Sequence, residues 1–113
     1  MSNNSPTIPP AEALHLHALI PATEKGMSSR VLAKTNGGNV TLFAFDSAQE
    51  LSEHTAPLDA LVLVLEGVLT LTVGGTPVRA TPGTVVRMPG DIPHAVEALE
   101  PARMLLIMLR DNK

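Results

Sequence analysis

His54 and His94 are the two residues of this sequence whose type and position offer chemistry at the ends of apolar strands. His54 follows the polar run of residues 49–53 and precedes an apolar strand, while His94 follows the turn of residues 89–93 and opens another. An imidazole can act as a general acid or base, exchange hydrogen bonds with a ligand, or ligate a metal ion. A lone histidine near a strand end is more often a surface or core residue, so each one by itself predicts little.

Three further residues, His15, His17 and Met88, give weaker indications of function. His15 and His17 form an H-x-H sequence, but the structure of their segment is undecided, and a surface position is the favoured interpretation. Met88 lies close in sequence to His94 and is predicted to fill the core or to line a pocket beside that histidine. The sequence contains no G-x-S-x-G elbow and no glycine-rich phosphate loop, which leaves a serine hydrolase or a nucleotide-binding site without support.

Short strands separated by turns must position these residues. Gly74-Gly75 is typical of a two-residue hairpin, and Pro82-Gly83 is typical of a type II turn. Residues 11–20 fit a short helix or an extended segment. Seven or more strands with frequent turns predict an all-β sandwich or barrel. The predicted strands cover residues 29–35, 40–46, 60–66, 68–73, 84–88, 95–99 and 103–109.

Two stretches, residues 60–65 and 104–109, are apolar on both strand faces. One face can fill the interior of a barrel, but the other needs a cover, because large apolar surfaces rarely stay in water. We expect a homodimer to supply that cover, and an N-terminal arm that folds back over the strand is the alternative. Residues 1–12 are predicted to be a flexible arm, and residues 13–113 a single domain.

The composition excludes several classes of function. The 113 residues carry a net charge of −3, so the chain lacks the basic surface that would bind nucleic acid or an anionic membrane. It contains no cysteine, which excludes disulfides and thiolate metal sites, and Phe43 and Phe45 are its only Phe, Tyr or Trp residues. The N-terminus lacks the basic and apolar regions of a signal peptide, so the expected location is the cytoplasm.

The spacing around both histidines resembles the cupin family. Its first motif, G-x5-H-x-H-x3-E-x6-G, matches with His54 as the first histidine and Gly67 as the closing glycine. Its second motif, G-x5-P-x-G-x2-H-x3-N, matches with Gly83, Pro89 and His94 in register. The resemblance covers roughly residues 40–110. It implies a small double-stranded β-helix, or jelly-roll barrel, as the fold.

Several motif positions depart from the family pattern. Cupins with the full motif bind a divalent metal through three histidines and one glutamate, but here Ala56 and Ala60 replace the second histidine and the glutamate. Three further motif residues, two glycines and an asparagine, are replaced by Ala48, Asp91 and Ala98. The resemblance therefore leaves only His54 and His94 as ligands for Zn, Ni, Mn or Fe, which predicts a weak metal site or none.

Two functions are compatible with a histidine pair in such a barrel. The first is binding of a small organic ligand, with no certain cofactor, in a pocket lined by His54, His94, Ala56, Ala60 and Met88. The second is a metal-dependent enzyme of isomerase, decarboxylase or dioxygenase type, in which water or substrate completes the coordination of an ion held by both histidines. Glu50 is predicted to share the strand face of His54, and a bend could bring it to that ion. The sequence identifies neither a catalytic residue nor the ligand.

Overall fold

The computed structural model describes residues 7–20 and 26–110, and nine β-strands form most of this part of the chain. One short helix, α1, spans Leu16–Leu19. The strands are β1 Met27–Thr35, β2 Gly38–Phe45, β3 Gln49–His54, β4 Asp59–Glu66, β5 Leu69–Val73, β6 Thr76–Ala80, β7 Val85–Met88, β8 His94–Ala98 and β9 Ala102–Leu109. No helix among the described residues is long and apolar enough to cross a membrane.

The strands form two antiparallel sheets. The first sheet has the order β1, β2, β9, β4 and β7, and the second has the order β3, β8, β5 and β6. The chain passes between the two sheets at every connection after β2 except the hairpin that joins β5 and β6. This connectivity is that of a jelly roll, so the predicted all-β double-stranded β-helix is confirmed.

Apolar side chains that alternate along the strands fill the space between the sheets. β4 contributes Ala60, Val62 and Val64, because every second residue of a strand points to the same face. The other buried members of this cluster are Phe45, Leu69, Leu71, Ala80, Met88, Val96, Ala98, Ala102 and Met104. The core of the barrel is therefore built almost entirely from aliphatic side chains and methionine.

A second apolar cluster lies on the outer face of the first sheet. Leu32 on β1 and Leu42 on β2 pack there with Ile20, which is 2% exposed. The side chain of Arg103 donates a hydrogen bond to the carbonyl oxygen of Ile20 at 3.0 Å and ties this segment to β9. Residues 8–20 therefore lie over part of the outer face of the sheet.

The predicted strand ranges do not include β3 or β6, although the predicted Gly74-Gly75 hairpin is confirmed and β6 is its second strand. β3 lacks an apolar pattern because its outer face is polar and exposed, and Leu51 is its only apolar residue that packs on the core. β6 contains Pro77 and lies at an edge of the second sheet, which is where a strand tolerates proline. Residues 1–6 of the predicted N-terminal arm lie outside the described residues.

Candidate functional site

His54 and His94 are direct neighbours on adjacent strands. They form a cross-strand pair at the end of β3 and the start of β8. Their ring centroids are 4.4 Å apart and the rings are inclined by 69°, so the edge of one imidazole faces the plane of the other. His94 is 5% exposed, whereas His54 is in open contact with solvent. The structure therefore brings together the two histidines that the sequence selected.

A β-bulge in β3 decides which way His54 faces. Leu51 pairs with Val96 and His54 pairs with His94, so three steps along β3 match two steps along β8. Direct cross-strand partners share a face of the sheet, and Val96 belongs to the core of the barrel. Leu51 and His54 therefore lie on the same inner face. Without the extra residue, simple alternation would have placed His54 on the outer face.

The same bulge overturns the predicted role of Glu50. Glu50 lies before the bulge and pairs with Glu97, and both side chains are exposed. It therefore lies on the face opposite to His54, and the prediction that the two share a face is wrong. The reason is that the two-residue period of a strand does not hold across an inserted residue.

Both imidazoles use the same ring nitrogen to contact the backbone. His54 Nδ1 lies 2.9 Å from the carbonyl oxygen of Ser52, and His94 Nδ1 lies 3.1 Å from the carbonyl oxygen of Ile92. A carbonyl oxygen can only accept a hydrogen bond, so Nδ1 must carry the proton and donate in both rings. A neutral imidazole has a single N–H, which leaves each Nε2 as an acceptor with its lone pair free.

The Nε2 atoms of the pair are open to a ligand. Within residues 7–20 and 26–110, no group forms a hydrogen bond with either of them. No fully enclosed side-chain nitrogen or oxygen in this part of the chain lacks a partner, so Nε2 of His94 keeps contact with solvent. Leu51 and Val73, which pack on the barrel core, flank the pair on β3 and β5. Two acceptors therefore lie beside apolar side chains.

The other predicted site residues lie at different depths. Ala56 is half-buried in the loop after β3. Ala60 and Met88 are cross-strand partners on β4 and β7, and each is 2% exposed within the core cluster. Four cavities of about 260, 300, 330 and 310 Å³ open elsewhere on the described surface, and neither histidine lines any of these four. The pocket expected around the pair stays a prediction.

The donor set around the pair does not fit a resident metal ion. The proton on Nδ1 does leave each ring in the form that a metal requires, because ligating histidines donate their other N–H to a neighbouring acceptor. A catalytic zinc site nevertheless takes three protein ligands, and Ala56 and Ala60 supply none. Among the described residues, no three His, Asp or Glu side chains lie close enough together to hold an ion. The pair by itself therefore supplies two of the three protein ligands that such a site takes.

Asp59, which the sequence motifs do not mark, holds the loop that leads to His94. Its Oδ1 accepts a hydrogen bond from the backbone N–H of Gly90 at 2.8 Å, and its Oδ2 lies 2.9 Å from a guanidinium nitrogen of Arg87. The N–H of Gly90 first, and then the Arg87 guanidinium, hold the pKa of Asp59 below its ordinary value. Both partners lie far along the chain, so no local spacing could have identified this residue.

Known proteins share the pattern of this sequence and its architecture. A family model of the cupin domain matches residues 41–108, which is more than half of the chain. The chain belongs to the cupin family. No curated protein matches this cupin.

Three solved structures are similar to this cupin. A conserved protein of unknown function from Streptococcus pyogenes is 32% identical with a TM-score of 0.87, and the match covers 95% of this chain and 94% of that one. A cupin superfamily protein from Desulfitobacterium hafniense is 30% identical with a TM-score of 0.84, over 93% of this chain and 96% of that one. A cupin 2 conserved barrel domain protein from Leptotrichia buccalis is 34% identical with a TM-score of 0.81, over 86% of this chain but 47% of that one. The predicted family and fold are confirmed.

Proposed function

We propose that this cupin binds a small organic ligand at the His54–His94 pair, through hydrogen bonds that the ligand donates to the two Nε2 atoms. The observation that carries the proposal is the pair of contacts from Nδ1 to the carbonyl oxygens of Ser52 and Ile92. Because those contacts occupy the only N–H of each neutral ring, the opposite edge of each ring is an acceptor.

The acceptors select the class of ligand. A hydroxyl, amide or ammonium group can donate to a bare Nε2, whereas an ionised carboxylate can only accept. Because the ring centroids are 4.4 Å apart, one small ligand can contact both rings, and we expect it to carry two donor groups, as in a 1,2-diol or an amino alcohol. We expect such ligands to bind, and simple carboxylates to bind poorly, while both imidazoles are neutral.

The two rings are exposed to solvent to different extents, and each position favours the binding of a small ligand. His94 is 5% exposed and lies on β8, so its acceptor is held in place before a ligand arrives. His54 is exposed at the end of β3, so a ligand can reach its ring directly from solvent. A site that is ordered beforehand loses less conformational freedom on binding, which favours affinity for small ligands.

The test compares the wild-type protein with His54→Asn and His94→Asn. The amide nitrogen of asparagine takes the place of Nδ1 and can still donate to the backbone carbonyl, but asparagine has no atom at the place of Nε2. The probes are ethylene glycol, glycerol and ethanolamine, and acetate and oxalate serve as carboxylate controls. NMR signals of the histidine side chains are followed at pH 8 with and without EDTA. The exposed His15 and His17 provide an internal control for unspecific effects.

We expect at least one donor compound to shift the signals of His54 and His94 to saturation, and to leave those of His15 and His17 in place. Both asparagine variants should lose this response, and EDTA should not change it. Saturable binding of the carboxylates alone, no saturable response to any donor probe, or full binding by both variants would each overturn the proposal. Loss of binding in EDTA would overturn it as well and would favour the metal-dependent enzyme.

A further inference from the structure

Two loops that lead to the histidine pair pack against each other. The first loop, residues 55–58, directly follows β3, and the second loop, residues 89–93, directly precedes β8. The backbone N–H of Asp91 donates a hydrogen bond to the carbonyl oxygen of Ala56 at 2.8 Å. A Cβ added at Gly90 would lie only 3.3 Å from backbone atoms of the first loop. The two loops are therefore in direct backbone contact.

The side chain of Asp59 joins these loops from the first residue of β4. Asp59 directly follows the first loop, and its Oδ1 accepts the N–H of Gly90 in the second loop at 2.8 Å. Arg87 on β7 donates to Oδ2 at 2.9 Å, which is the carboxylate oxygen that Gly90 does not use. The N–H of Gly90 and the Arg87 guanidinium lower the pKa of Asp59, so both contacts favour the ionised carboxylate, which is the stronger acceptor.

The second loop in turn holds His94. The carbonyl oxygen of Ile92 accepts the Nδ1 proton of His94 at 3.1 Å, and the carbonyl oxygen of Pro93 accepts the N–H of Gly74 at 2.8 Å. Gly90 lies two residues before Ile92, so a displacement of Gly90 changes the direction of the carbonyl group that orients the ring.

We propose that Asp59 is a positioning residue for the His54–His94 pair, because its bond to Gly90 holds the second loop so that the carbonyl oxygen of Ile92 receives the Nδ1 proton of His94. This inference deepens the proposed function. Only the expected effect of Asp59 on ligand binding rests on that function. The placement of the ring itself is a property of the free protein and can be measured without a ligand.

The experiment compares Asp59→Ala, Asp59→Asn and Arg87→Gln with the wild type. Alanine removes the acceptor of the Gly90 N–H, whereas the side-chain carbonyl of asparagine restores one. Arg87→Gln weakens the ion pair but leaves the contact with Gly90, which makes it the matched control. Asp59→Ser is a second truncation whose side chain is too short to reach Gly90. Two quantities are measured by NMR: the hydrogen-exchange rates of the Gly90 and Asp91 amides, and the side-chain signals of His94.

We expect Asp59→Ala and Asp59→Ser to speed exchange of the two amides at least tenfold and to shift or broaden the Nδ1 signal of His94. Asp59→Asn and Arg87→Gln should both stay close to the wild type. The inference is overturned when the truncations leave His94 and both amides unchanged in a folded protein, or when Arg87→Gln has the same effect as Asp59→Ala. A failure of every probe to bind would overturn the proposed function and leave these NMR results unaffected.

Discussion

The two histidines become a defined acceptor site because the backbone holds each ring at Nδ1. Cupin-like spacing was enough to select His54 and His94 from the sequence. It could not reveal which nitrogen carries the proton, because the partners are the backbone carbonyls of Ser52 and Ile92 rather than side chains with a recognisable pattern. The sequence does not identify Asp59 for the same reason, since the main partner of its carboxylate is a backbone N–H.

His94 contributes to stability as well as to the site. His94→Ala should lower the free energy of unfolding by about 2–4 kcal/mol, because it leaves a cavity at a buried position. His54→Ala, at an exposed position, should change it by about 0.5 kcal/mol or less. Urea denaturation of both variants measures the difference. Equal losses would show that the two rings are not at the different depths described.

Asp59 should make stability depend on acid. Its pKa is lower in the folded protein than in the unfolded chain, so its contribution is fully present above about pH 4 and disappears as the pH falls through the folded-state pKa. The thermal midpoints of wild type and Asp59→Asn should therefore differ at pH 7 and converge as the pH falls through the folded-state pKa of Asp59. A difference that stays constant between pH 7 and pH 2 would contradict this assignment.

At the level of strands and turns, two motif positions keep the backbone that glycine allows without keeping glycine. Ala48 and Asp91 replace glycines of the cupin motifs, and their φ angles are +63° and +64°. A left-handed backbone is unfavourable for residues with a Cβ, although aspartate tolerates it better than alanine. The fold of this cupin therefore imposes a conformation that its own residues at these turns do not favour.

Replacing Ala48 by glycine should stabilise the protein. Ala48 is exposed, so its methyl group contributes little packing, and Ala48→Gly should raise the free energy of unfolding by about 0.5–1 kcal/mol. Ala18→Gly is the control, because Ala18 is exposed within α1 and glycine there should destabilise slightly. Urea denaturation measures both effects. A loss of stability in Ala48→Gly would contradict the strain assigned to this turn.

The sequence predicts most strands of this fold because turn residues separate alternating or continuous apolar runs. The sequence does not predict β3, because the outer face of that strand is polar, and it predicts the wrong strand face for Glu50. The faces of Glu50 and His54 depend on the bulge between Leu51 and His54, and a bulge is set by pairing with β8 rather than by any local motif. The sequence therefore predicts the architecture, but it does not predict the orientation of the side chains at the site.

At the scale of the whole molecule, residues 7–20 and 26–110 leave part of the outer face of the first sheet exposed. The segment of residues 8–20 packs over Leu32 and Leu42, but Leu61 and Ile107, which are cross-strand partners, lie outside that cluster and remain partly exposed. Val85 at the edge of the sheet is 57% exposed. We propose that a second copy of this chain covers the remaining apolar face, since such surfaces favour association.

Ile107→Glu tests this homodimer. We expect the wild type to sediment as a dimer at micromolar concentration and Ile107→Glu to sediment as a folded monomer, because a buried unpaired carboxylate disfavours the interface. Thr72→Glu is the control, since Thr72 lies on β5 in the other sheet between the inward-facing Leu71 and Val73. A wild type that sediments as a monomer, or an Ile107→Glu variant that stays dimeric, would contradict the proposal.

The protonation of the two rings is the most direct test of the account, because the class of ligand depends on it. A long-range ¹⁵N–¹H NMR spectrum of the histidine side chains, recorded at pH 8 without ligand, assigns the proton of each ring to Nδ1 or Nε2. The structure predicts that both His54 and His94 carry it on Nδ1 and have a bare Nε2. A proton on Nε2 of either ring would contradict the account, since that ring would then offer a donor rather than an acceptor.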